Sequence, residues 1–155
     1  MPNWIEGTLK LRGKTKDLRR FFKTAIQPCA CFGKEPYKQE DFIEFDFNED
    51  WAEVHIKEDA YIEGTQRAFI NDECYAEFED DEDTVCIPIR QAWAFVPKNW
   101  QDISNKFNLD IRLYGFERGM EFCQEVEVID GEITINREIK YDDWEWECPM
   151  PILGG

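Results

Sequence analysis

A chain of 155 residues that is 43% apolar and 15% aromatic can bury an ordinary core, which excludes a disordered chain. Its 34 acidic and 18 basic residues leave a formal charge of −16. That balance argues against direct binding to nucleic acid or to anionic membranes, both of which need clustered Lys and Arg, and it favours cationic partners.

The first predicted element is a strand. In "WIEGTLKLRG" Ile5, Gly7, Leu9 and Leu11 alternate with Glu6, Thr8, Lys10 and Arg12, the period of a half-buried strand. A helix follows over 15–26, with Leu18, Phe21, Phe22, Ala25 and Ile26 on one face, Thr15 as its cap and Pro28 just past its end. From Cys29 to about Ala60 the pattern loosens into a loop and then a strand or short helix, where Phe45 and Phe47 alternate with Glu44 and Asp46. "QRAFINDECYAEFEDDED" supplies a further strand that ends in an acidic loop at Glu79 to Asp83.

In "TVCIPIRQAWAF" Val85, Ile87, Ile89, Trp93 and Phe95 share a face, Gln91 interrupts it, and Pro88 marks an edge or a bulge. Pro97 starts a second helix over 97–107 with Trp100, Ile103 and Phe107 as its apolar stripe. Trp93 and Trp100 bracket Pro97, and both are expected between this helix and the sheet. Leu109, Ile111 and Leu113 resume the alternation, and "CQEVEVIDGEITINREI" reads as a hairpin with a type I′ turn at Asp130-Gly131. This order predicts one ferredoxin-like α+β domain over 1–155. It has an antiparallel sheet with two helices on one face, an added C-terminal hairpin and a variable insertion near 28–60.

Candidate chemistry is sparse. Six cysteines include one C-x-C pair, Cys29 and Cys31, with no second close pair, and His55 is the only histidine, so neither a metal nor any other cofactor is expected. The N-terminus lacks a basic start followed by an apolar core, and no run reaches the roughly 18 apolar residues of a membrane span. A cytoplasmic protein with reduced thiols is the expectation. Acids come in three aromatic-laced clusters, 40–53, 72–83 and 142–147. Glu44, Asp46, Glu79, Asp80, Asp81, Glu82, Asp142 and Asp143 are the candidate partner-binding acids, with Trp144 and Trp146 as apolar anchors of the kind enriched in binding hot spots.

The opening MPNW with its βα unit, "EGTQRAF" (63–69), "AWAFVPKNWQDISNKF" (92–107) and "DIRLYGFERGMEF" (110–122) resembles the YubB-type ferredoxin-like proteins of plasmids and bacteriophages. Asn3-Trp4, Gly64-Thr65, Trp93 with Pro97, and Tyr114, Glu117 and Gly119 hold the comparable positions. The resemblance implies a mobile-element origin and no reaction. Together with the acid clusters it points to a non-catalytic accessory protein. Such a protein would bind and inhibit a basic nucleic-acid-binding host or defence protein, such as a nuclease complex, through DNA-mimic-like surfaces. Two alternatives stand beside it: a small tautomerase-like enzyme using Pro2, and an acidic binding module without mimicry.

Overall fold

The alternating stretch that opens the chain becomes the strand around which the rest is laid. The computed structural model describes residues 1–29, 39–48, 51–71, 73–79 and 81–155. In chain order they form β1 (Trp4–Lys14), α1 (Thr15–Thr24), β2 (Ile26–Pro28), α2 (Gln39–Phe42), β3 (Ile43–Phe47), β4 (Trp51–Ile56), β5 (Ala60–Ile62) and β6 (Ala68–Ile70). There follow β7 (Cys74–Glu79), β8 (Glu82–Ala92), α3 (Pro97–Phe107), β9 (Asp110–Glu117), β10 (Phe122–Ile129), β11 (Glu132–Lys140) and α4 (Trp144–Glu147). Eight strands pair antiparallel in the order β11-β10-β9-β1-β8-β6-β5-β2, and a second sheet has the order β3-β4-β7.

Because β1 is hydrogen-bonded on both sides, its pleat decides the large sheet. Leu9 lies between Ile87 and Leu113, and Leu11 between Val85 and Ile111, all buried. Each such side chain contributes roughly 1.5–3 kcal/mol on burial. Helices α1 and α3 lie over this inner face and meet at Phe21 and Phe107, whose ring centroids are 5.4 Å apart. Thr15 does not cap α1; its hydroxyl instead donates to the Glu79 carbonyl at 2.6 Å and ties the helix start to the end of β7. Pro28 ends β2 rather than lying beyond a helix. Pro88 falls in β8 beyond the part that pairs with β6, on a locally free edge where its missing N–H is harmless.

The ferredoxin-like α+β expectation is overturned. Among the described residues strands in two sheets predominate, against helices of 10, 4, 11 and 4 residues. The two helices read from the sequence are present at Thr15–Thr24 and Pro97–Phe107, and Asp130 and Gly131 turn the last hairpin with φ of 49° and 76°. The error lies between them: β3 to β7 are strands of three to six residues, and the alternation that β4 and β7 show does not reveal which strands they pair with. Of these, β3 and β4 fall in the supposed insertion and pair with β7 as a second sheet, while β5 and β6 extend the large one. Among the described residues, no helix is long and apolar enough to cross a membrane.

The segment between β8 and α3 also departs from its predicted burial. Trp93 has φ +69° and is 59% exposed, with its N–H donating to the Asn3 carbonyl at 2.8 Å. This left-handed residue turns the chain off the sheet, so that Phe95 takes the core position. A side chain at Gly115 would meet the Phe95 ring at 2.6 Å, so this glycine makes the slot that Phe95 fills. Gln124 fixes Phe95 by accepting from its N–H at 2.8 Å and donating to its carbonyl at 3.0 Å. Gln91, which looked like an interruption, is a buried hub: it accepts from Trp100 Nε1 at 3.1 Å and donates to the Gln66 carbonyl at 3.0 Å.

Two tryptophans should therefore behave oppositely in urea denaturation. Trp100→Ala is expected to cost about 3–5 kcal/mol. Trp93→Gly, which relieves a strained backbone at little burial, should be neutral or stabilising by about 1 kcal/mol. A Trp93→Gly variant as unstable as Trp100→Ala would put Trp93 back in the core.

Candidate functional site

The three-stranded sheet has one apolar and one charged face because its strands alternate strictly. Ala52, Val54 and Ile56 of β4 and Cys74, Ala76 and Phe78 of β7 are buried, and Phe78 stacks on Phe22 of α1 at 6.0 Å. The partners in between are thereby turned outward: Glu44 and Asp46 on β3, Glu53 and His55 on β4, Tyr75, Glu77 and Glu79 on β7. Register aligns them into two cross-strand rows, Glu44–His55–Tyr75 and Asp46–Glu53–Glu77.

The first row is internally neutralised. Lys57 pairs with Glu44, and its hydrogen bond holds the Glu44 carboxyl below the usual range. His55 directs Nδ1 at Glu44 (3.6 Å) and Nε2 at Glu73 (2.6 Å), and its ring stacks on Tyr75 at 4.2 Å. Partial burial, with Glu73 next in effect, raises the Tyr75 phenol above its ordinary value. The second row is different. Among the described residues no cation lies within ion-pair distance of Asp46, Glu53 or Glu77. Strands are about 4.8 Å apart, so three carboxylates stand side by side, an arrangement that is locally destabilising. Glu53 borders two open hollows, one of about 480 Å³ with Glu44, Asp46 and His55, the other of about 410 Å³ with Trp51, Glu77 and Glu79.

Of the residues singled out from the sequence, Glu44, Asp46 and Glu79 share this face. Asp81 (φ +64°) lies in the turn after it, and Glu82 opens β8 on the large sheet, opposite Lys14. Asp80 lies outside the described residues. The tail residues belong elsewhere. Trp144 is buried against Phe116, Cys123 and Cys148 on the outer face of the large sheet, so it is no exposed anchor. Asp143 caps α4 by accepting from the Trp146 N–H at 3.2 Å, Asp142 is exposed, and Trp146 is 86% exposed. Glu53, Glu77 and Tyr75 were missed, although the alternation in "WAEVHI" and "CYAEFE" already marks them as outward.

Among the described residues no group of three or more His, Cys, Asp or Glu is arranged to hold a metal ion. Cys31 of the C-x-C pair lies outside them. Burial pushes the Cys74 and Cys123 thiols up to about 11, the behaviour of packed rather than reactive cysteines.

The lowered Glu44 carboxyl gives a signed prediction. Its ion pair contributes stability above the ordinary carboxylate range, and that contribution is lost as pH falls through the lowered value. Lys57→Met should bring the Glu44 midpoint, followed by side-chain carboxyl NMR, back up toward about 4.3. An unchanged midpoint would show that Lys57 does not set it.

Comparison with known proteins adds no assignment: no protein family, no curated protein and no solved structure matches the chain.

Proposed function

We propose that this chain is a non-catalytic binding protein that captures a cationic, nucleic-acid-binding protein on the outer face of the β3-β4-β7 sheet. The observation that carries this reading is the row Asp46–Glu53–Glu77, without a cation partner among the described residues and set directly in register across three strands. Strands are about 4.8 Å apart, so the Asp46–Glu53–Glu77 row is a fixed line of negative charge beside the neutralised one. Duplex DNA presents one charge per about 1.7 Å of axis, a density that such a line approaches on one side. A partner built to grip phosphates brings Arg and Lys in a matching array and removes the repulsion that the free protein bears.

His55 supports binding rather than turnover, since both of its ring nitrogens face carboxylates. The resemblance to plasmid- and phage-encoded proteins extends the proposal to a host nuclease or other defence complex as the partner. Inhibition would follow from occupying its nucleic-acid groove.

The test is the triple variant Asp46→Asn, Glu53→Gln, Glu77→Gln. Removing like charges should raise stability by up to about 1 kcal/mol in urea denaturation. Proteins retained by the parent from bacterial extract at low salt should be released by duplex DNA and should not bind the variant. Their association rate should fall steeply between 0.05 and about 0.15 M salt, where screening shortens to about 8 Å. Retention of the same proteins by the triple variant would refute the proposal.

A further inference from the structure

The outer face of the large sheet carries cations of two kinds. Most are used: Arg12 pairs with Asp110 at 2.9 Å, and Arg112 and Arg137 grip the buried carboxylate of Glu125 from two sides. Arg90 is not. Register sets it directly opposite Glu6, yet the two form no ion pair. Its guanidinium lies over Trp4 at 4.6 Å and Phe69 at 5.8 Å, and Arg67 reaches the same indole at 5.4 Å. Among the described residues no carboxylate is within ion-pair distance of Arg67 or Arg90, in a chain where acids outnumber bases 34 to 18.

A second observation falls at the same place. A cavity of about 260 Å³ opens beside Arg90, walled by Glu6, Asn71, Pro88 and Leu153. Two of these residues hold a buried polar atom without a hydrogen-bond partner: the donor Arg90 Nε and the acceptor Asn71 Oδ1. Buried polar groups are nearly always satisfied, so an orphaned donor and acceptor around one cavity point to a ligand that supplies both partners.

We propose that this cavity binds a small phosphate ester bearing hydroxyl groups, of the sugar-phosphate or nucleotide class. The Arg90 guanidinium, packed on the Trp4 indole and lining the cavity, has a planar N–H fork suited to a phosphate. The Glu6 carboxylate and the unpartnered Asn71 Oδ1 are acceptors, so the rest of the ligand must donate, which the hydroxyls of a sugar do. Pro88 and Leu153 give the apolar wall that a sugar ring covers. The volume is below the roughly 300–1,000 Å³ of drug-sized pockets and fits a headgroup of this size. The overall negative charge does not forbid it, because acids more than a Debye length of about 8 Å away are screened.

The test uses the full chain and ribose 5-phosphate, with the Arg Nε–H resonances followed by NMR at matched ionic strength. Saturable shifts at Arg90 with a Kd below about 1 mM are expected. Arg90→Gln should weaken binding at least about tenfold, one decade of affinity. Uncharged ribose should produce no saturable shift. Glu6→Gln should weaken ribose 5-phosphate but strengthen inorganic phosphate, a reversal that mere loss of structure cannot give. Tighter binding of adenosine monophosphate assigns a nucleotide, and equal binding assigns a sugar phosphate. If Arg90→Gln does not fold, Arg90→Lys replaces it, which keeps the charge but loses the planar fork, with a severalfold loss expected. Absence of a saturable shift at Arg90, or parental binding by the folded Arg variant, overturns the proposal.

Discussion

Everything in this molecule depends on β1 being paired along its whole length to β8 on one side and over Glu6–Arg12 to β9 on the other. Side chains in a strand alternate with a period of two, so this double pairing leaves no freedom about which residues face the helices. Ile5, Leu9 and Leu11 go inward; Glu6, Thr8, Lys10 and Arg12 go outward. A slip of one residue would exchange the two sets and bury four polar side chains. The charged outer face, including the opposition of Glu6 to Arg90, is thus a by-product of the same register that builds the core.

The small sheet obeys the same rule under a harsher electrostatic load. Its apolar face is fastened to α1 through Phe22 and Phe78, and Thr15 reaches from the start of that helix to the carbonyl of Glu79. That burial offsets the repulsion among Asp46, Glu53 and Glu77 on the other side, where each misplaced like-charge pair costs a fraction of 1 kcal/mol against several from the core. The balance is local. An acidic face can therefore be carried at a modest cost that the core outweighs.

Buried amides supply the specificity that apolar packing lacks. Gln91 and Gln124 are both buried and both fix backbone outside the strands, Gln91 at Gln66 and Gln124 on two sides of Phe95. An apolar residue at either site would fill the volume but leave those carbonyls and N–H groups unpaired. The left-handed Trp93 is the local strain these contacts hold in place, with its ring left in solvent.

The sequence by itself determined the sidedness of the long strands, the two main helices, the Asp130-Gly131 turn and the outward direction of Glu44 and Asp46, because periodicity and turn chemistry are local properties. It also contained the signal for Glu53 and Glu77 in the alternation of "WAEVHI" and "CYAEFE". Only the tertiary structure decided which strands are neighbours. Pairing of β7 with β4 brought Glu77 into one row with Asp46 and Glu53 and completed a second sheet that begins where an insertion was expected, and the pairing of β8 with β1 set Arg90 beside Trp4. It likewise exposed Trp93 and buried Trp144, since one left-handed residue redirects a chain, and a folded-back tail covers a ring, without altering any local pattern.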